Sequence, residues 1–246
     1  MSTLFLFSLF IAGLFAGAIN VFSGGGSVLT LPLLIIAGLD ANTANGTNRV
    51  GILLQTIAAL LRFGKPGQRM LGQSLKLTLV TLPGAILGAW VAVFMDETSF
   101  HYLLIGVLLL SAVSLFMPNF HEVEPDHTPS FWLYPTFFAI GFYGGLIQVG
   151  VGFLLMAGLY HLLHARLVVV NIYKVLIIFL FTLPALGIFL YYGQIHWGAG
   201  LSLAAGMALG GWLAAHLSLQ QSGENWIRAV TLLIVLLMIA KLLFNG

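Results

Sequence analysis

The sequence predicts an all-α polytopic membrane protein of about eight transmembrane helices, built as two tandem repeats, each interrupted by a glycine-broken or re-entrant half-helix. Three observations predict it. Hydrophobic residues make up 60% of the 246 and charged residues 7%, where a soluble domain has roughly 45–50% and about 25%. Apolar stretches of spanning length recur along the whole chain. The pattern of the first half returns in the second. So few charges cannot coat a water-exposed surface, and lipid is the solvent that tolerates one.

A spanning helix needs about 20 apolar residues. Segments 4–22, 43–62, 75–95, 100–117, 131–149, 168–191, 199–217 and 226–244 meet or approach that length. Ala16-Gly17-Ala18 faintly resembles a cleavage site, but the start lacks a basic n-region, so 4–22 is read as a retained span. Two shorter apolar stretches, 27–39 and 153–163, follow glycine clusters. At about 1.5 Å per residue they reach only about 17–20 Å. They are read as half-helices that dip in and return, or as continuations of a broken helix. Such backbone survives at membrane depth only inside protein or along a watery cavity.

Arg62, Lys65, Arg69 and Lys76 cluster around one loop, which the positive-inside rule places in the cytoplasm. Asp96 and Glu97 then lie outside. Re-entrant half-helices would put both termini in the cytoplasm, as Lys241 suggests. The polar segment 118–130, with Pro118, Pro125 and Pro129, reads as a cytoplasmic linker between the repeats 1–117 and 131–246.

The repeats align through polar and glycine matches. Gly13 and Gly17 match Gly141 and Gly145, Asn20 matches Gln148, and Gly24, Gly26 and Asn45 match Gly150, Gly152 and Asn171. Thr56 matches Thr182, Gly67-Gln68 matches Gly193-Gln194, and Gly84, Gly88 and Trp90 match Gly206, Gly210 and Trp212. Duplication is a recurring build for transporters, with the site where the repeats meet. Their relative orientation stays open between parallel halves of four spans and inverted halves of five.

Two constellations carry candidate chemistry. Ser23-Gly24-Gly25-Gly26-Ser27 breaks a membrane helix and runs into Pro32. A half-helix opening there presents its positive end and free N–H groups, which suits an anion. Gly150 and Gly152 repeat this in weaker form. Close helix packing is the plainer use of such glycines. The second constellation is Asn45-Gly46-Thr47-Asn48-Arg49, where Asn45, Asn48 and Arg49 share one helix face. Its counterpart holds Asn171, Tyr173 and Lys174. An intramembrane cation is a functional hypothesis by default, although both could snorkel to the interface. Asn20 and Gln148 precede the breaks. Neither cluster has a carboxylate, which argues for an anionic substrate and against a cation or metal site.

The other residues point to no further chemistry. His161 and His164 are spaced i, i+3 near Arg166, but no Asp, Glu or Cys accompanies them, so no metal is expected. His101, His121, His127, His196 and His216 read as loop, interface or helix-end residues, and the five tryptophans as interface anchors or packing. There is no cysteine, no enzyme motif and no nucleotide-binding loop. Ser27 as an intramembrane nucleophile would need a base and an orienting partner that the sequence does not supply. No cofactor and no nucleic-acid partner is expected.

At Gly24-Gly25-Gly26, Pro32, Ala44-Asn45-Gly46-Thr47 and their weaker repeat, the chain resembles the TauE/SafE family of sulfite exporters and sulfonate-uptake permeases. Gly158 stands where Pro32 would align in the second half. The resemblance implies secondary transport of small sulfur-containing anions in a bacterial inner membrane. An anion channel and, further off, an intramembrane enzyme are the alternatives. The partners implied are a small anion and the lipid bilayer, with homo-oligomerisation open.

Overall fold

The computed structural model describes residues 3–116, 132–163 and 167–219. The linker 118–130, the span 226–244, His121, His127, Arg166, Lys241 and the side chains of His161 and His164 lie outside them. The described residues form nine helices and no strand: α1 Thr3–Phe22, α2 Ser27–Ile36, α3 Ala41–Phe63, α4 Lys65–Val93, α5 Glu97–Phe116, α6 Leu133–Leu146, α7 Val151–Leu163, α8 Leu167–Tyr191 and α9 Trp197–Leu219. Among the described residues four segments, Thr3–Phe22, Ser74–Val93, Val168–Tyr191 and Trp197–Leu219, are long and apolar enough to cross a membrane. The protein is a polytopic helical membrane protein.

Local chemistry sets the boundaries. Asp40 accepts a hydrogen bond from the Thr43 N–H at 2.9 Å and so caps α3. Gly64, at φ +58°, ends α3, and Pro66 occupies the first turn of α4. α4 therefore begins about ten residues before the expected span 75–95, because its basic first turns remain helical beyond the apolar stretch. The expected span 131–149 is shorter: α6 stops at Leu146 and Ile147 is extended.

Glycine contacts reveal the direction of the helices. A Cβ at Gly13 or Gly17 of α1 would collide with the backbone of Leu203 or Met207 of α9. One at Gly206 or Gly210 would collide with Phe10 or Leu14. Numbers rise together on both helices, so α1 and α9 run parallel with backbones in contact. Gly84 and Gly88 of α4 meet Phe138 and Phe142 of α6 in the same parallel sense, and Gly141 and Gly145 of α6 meet Thr81 and Ala85. α3 also runs parallel to α9, with Gly200 at Thr47 and Val50, and Gly211 at Gln55. In contrast, Asn45 and Arg49 of α3 reach Leu146 and Gly144, so α3 opposes α6.

Of the two arrangements the sequence leaves open, these directions differ from the re-entrant one. α1 and α3 point the same way, because α2 carries the chain back between them. Thr30 of α2 donates to Asn48 of α3, and a Cβ at Gly26 would strike the Ala16 carbonyl of α1. The start of α1 and the basic loop after α3 therefore lie at opposite ends of the bundle.

The backbone contacts make a test. Gly17→Leu should lower the thermal unfolding temperature in detergent by the equivalent of at least the ~1–3 kcal/mol typical of overpacking. Gly106→Ala, where a Cβ meets nothing within 4 Å, should be neutral or stabilising by up to about 1 kcal/mol. Equal melting of both variants would contradict the parallel α1–α9 contact.

Candidate functional site

The two glycine breaks meet. At the end of α1 the Ser23 and Gly24 N–H groups both donate to the Ile19 carbonyl, at 2.8 and 3.3 Å. Gly24 then turns at φ +85°, a conformation that glycine adopts without penalty. The Val28 and Leu29 N–H groups are spent on Gly25 and Gly26, both at 3.0 Å. That tight turn leaves the N–H groups of Gly25, Gly26 and Ser27 without a partner among the described residues, as the open donors of the break. At the second break Gly150 turns at φ +70°, and Phe153 N–H donates to its carbonyl at 3.0 Å. A Cβ on Gly24 or on Gly152 would collide with the other's backbone. α1 and α6 thus end against each other from opposite directions, and residues 24–32 and 147–152 are buried.

Each break holds a cation from the other half of the chain. Arg49 is fully buried on α3. Its guanidinium donates to the Gly144 carbonyl at 3.2 Å, to the Gly145 carbonyl, and to Gln148 Oε1 at 3.5 Å. It also lies 4.7 Å over the Phe189 ring, a cation–π contact. Lys174 is fully buried on α8. Its Nζ donates to the carbonyls of Asn20 and Val21 at 3.1 and 2.7 Å, and approaches Met156 Sδ at 3.6 Å. These four carbonyls form the last turns of α6 and α1. A helix C-terminus carries roughly half a negative charge, so each side chain keeps positive charge beyond what the helix end neutralises. The chain's seven acidic residues are Asp40, Asp96, Glu97, Glu122, Glu124, Asp126 and Glu224. Of these only Glu97 lies within a described helix, at the first residue of α5.

Buried amides and hydroxyls complete the surroundings. Asn20 Nδ2 donates to Gln55 Oε1 at 2.7 Å, and at the matching position Gln148 Nε2 donates to Thr182 Oγ1 at 2.6 Å. Thr30 Oγ1 donates to Asn48 Oδ1 at 2.5 Å, and Asn45 Nδ2 to the Leu146 carbonyl at 2.9 Å. Ser27 Oγ, Asn48 Nδ2 and Arg49 Nε are buried and have no partner among the described residues. All three can donate.

Other expected site residues turn elsewhere. Ser23 Oγ donates back to the Ile19 carbonyl at 2.9 Å. Asn171 Nδ2 donates to Ser218 Oγ at 3.2 Å, on α9 rather than at the break. Tyr173 packs in the main apolar cluster. Thr47 Oγ1 accepts from the His196 N–H at 2.9 Å, and a Cβ at Gly46 would strike the Gln194 carbonyl, so both residues seat the α8–α9 loop. His196, expected as a bland loop residue, also caps α9 by accepting the Ala199 N–H at 3.1 Å.

Gln55 and Thr30 were not among the expected site residues. Gln55 lies seven residues after Asn48, on the same helix face, which is the signal that finds it. No cluster of His, Asp and Glu able to hold a metal occurs among the described residues.

Charge sign at the helix ends is testable by stability. Lys174→Met leaves helix-end carbonyls without a donor, and unfolding in detergent should register a loss of no more than about 3 kcal/mol. Lys174→Glu places an anion against a negative helix end and should give no cooperative unfolding transition. A Lys174→Glu protein as stable as Lys174→Met would refute the carbonyl seat of this cation.

Similar proteins carry transporter names. A probable membrane transporter protein, ORF9, from Sinorhizobium sp is 28% identical over 240 residues, covering 96% of this chain and 91% of the relative. One from Haemophilus influenzae is 26% identical, covering 96% and 94%. The probable membrane transporter protein YfcA of Escherichia coli K12 is 25% identical, covering 100% and 92%. No solved structure matches the chain. The sulfite exporter TauE/SafE family matches residues 9–242, and the chain, with its paired glycine breaks and helical membrane architecture, belongs to that family.

Proposed function

We propose that the protein is a secondary transporter that carries small sulfur-containing oxyanions across a bacterial inner membrane, with the substrate bound where the two breaks meet. One observation supports this above all: Arg49 and Lys174 are fully buried, and among the described residues every partner they have is a carbonyl, an amide oxygen, a ring face or a thioether. Two buried cations without a carboxylate are costly, and a bound anion offsets that cost. The open N–H groups of Gly25, Gly26 and Ser27, with Ser27 Oγ, Asn48 Nδ2 and Arg49 Nε, are the donors such an anion would take. Sulfur comes from the family name, while the relatives' names give no substrate.

Alternating access fits an inverted pair of repeats. Residues matched between the halves make matched contacts. Gly13 and Gly17 press on α9 as Gly141 and Gly145 press on α4, and Gly24 and Gly150 share a positive φ. α1 and α6 run in opposite directions. Among the described residues the first half has five helices and the second four, with α2 and α7 as the short members, and the expected span 226–244 lies outside them. Burial of the cations describes a closed state, so substrate reaches them when one half moves against the other. That burial also disfavours an open anion pore.

Arg49→Ala and Lys174→Ala, each reconstituted in vesicles, should lower sulfite flux by about 10–100-fold, from about 1.5–3 kcal/mol per charged hydrogen bond at 1.4 kcal/mol per decade. Unchanged flux in both would overturn the site. Among sulfite, sulfate, thiosulfate, sulfoacetate and taurine, at least one should raise the unfolding temperature of the purified protein and fail to do so in Arg49→Ala.

A further inference from the structure

Three amide oxygens are acceptors, unlike the open donors at the breaks. Asn42 Nδ2 donates to the Met95 carbonyl at 3.0 Å, Asn45 Nδ2 to the Leu146 carbonyl at 2.9 Å, and Gln194 Nε2 to the Val93 carbonyl at 3.0 Å. Those bonds orient the amides, because a flip would set oxygen against carbonyl oxygen. Asn42 Oδ1, Asn45 Oδ1 and Gln194 Oε1 are thereby left as acceptors. All three atoms are shielded from the surface and receive no hydrogen bond from the described residues.

The three residues lie around the first turns of α3. Asn42 and Asn45 are spaced i, i+3 on α3 and share a face. Asn42 and Gln194 are tied to carbonyls two residues apart, in the turn that ends α4. The Gln194 carbonyl lies so close to Gly46 that a Cβ there would collide with it. A buried acceptor left without a donor costs about 1–3 kcal/mol, and three together make an oxygen-only set. Such a set suits a hard cation and not a transition metal. His196, the nearby imidazole, is occupied in capping α9. Asp40 and Asp96 lie at the same end of the bundle, each holding a helix-start N–H at 2.9 Å. Ser99 holds the Asp96 carboxyl below its ordinary range, so it stays ionised. The basic loop is at the far end of α3.

We propose that Asn42, Asn45 and Gln194 form a sodium site at the end of the bundle opposite the basic loop, coupled to anion binding at the breaks. The absence of carboxylates from the sequence clusters argued against a cation. These oxygens, at the end of the bundle that carries Asp40 and Asp96, would supply the ligands instead. The coupling rests on the anion reading above. Arg49 lies one turn beyond Asn45, so it repels a cation until an anion neutralises it. Each ion then raises the affinity for the other by the same factor.

The test is thermal unfolding of the purified full chain, titrated with sodium chloride against choline chloride at constant ionic strength, with and without sulfite. A saturable sodium stabilisation that potassium does not reproduce is expected, with at least tenfold tighter apparent affinity when sulfite is present. Gln194→Leu should weaken sodium at least tenfold, and Asn42→Asp, which adds a charged oxygen, should tighten it. No sodium response in the wild type, equal response to potassium, or an undiminished response in Gln194→Leu would overturn the site. A sodium response with no effect of any sulfur oxyanion would uphold the cation site and overturn the anion reading.

Discussion

Two positive charges, Arg49 and Lys174, are buried in a helical core that, among the described residues, offers them no carboxylate. Most of the architecture follows from accommodating them. In hydrocarbon the remaining source of negative potential is the backbone itself, concentrated at helix C-termini. A helix that crosses the membrane unbroken presents its C-terminus only at the surface. α1 and α6 stop inside the bundle, so their last carbonyls are available to the two side chains. The glycine breaks are thus needed twice. They expose a negative helix end that holds a cation, and directly afterwards a positive helix start that suits an anion.

Close packing makes this arrangement stable. The breaks touch through the Gly24 and Gly152 backbones, and a side chain at either would separate them. The parallel α1–α9 and α4–α6 contacts rely on glycines in the same way. Small residues allow backbones to approach where lipid offers no hydrophobic drive for association. The cation of each half seats on the broken helix of the other, so the two halves interlock. A movement that frees Arg49 from Gly144 and Gly145 separates α3 from α6, and the equivalent movement at Lys174 separates α8 from α1. An anion that competes for either cation acts directly on those contacts.

Much of this was legible in the residues. The triplet Gly24-Gly25-Gly26 inside an apolar segment marks a break, because backbone groups freed there must find partners within the protein. The shared face of Asn45, Asn48 and Arg49 follows from helical spacing alone. What the cations touch was not legible, since Gly144 and Gly145 lie about a hundred residues from Arg49. The direction of α2 was hidden for a related reason. Ten mostly apolar residues followed by Gly38 suit a re-entrant turn and a short return leg equally well. The contacts of Gly26 with α1, of Thr30 with α3, and of both α1 and α3 with α9 separate the two. Asn171 aligned with Asn45 but reached Ser218, because alignment matches positions and not the neighbours that occupy them.

The central claim is that two broken helices of opposite direction meet at their glycines. The chain has no cysteine, so single cysteines can be placed without background. Thr3, Gln68 and Tyr134 are exposed, at the start of α1, beside the basic loop and at the start of α6. Labelling Thr3→Cys, Gln68→Cys and Tyr134→Cys with a membrane-impermeant maleimide, in intact and in permeabilised cells, reads their sides directly. The inverted arrangement predicts that Gln68 and Tyr134 react from one face and Thr3 from the other. Thr3 and Gln68 reacting from the same face would contradict it.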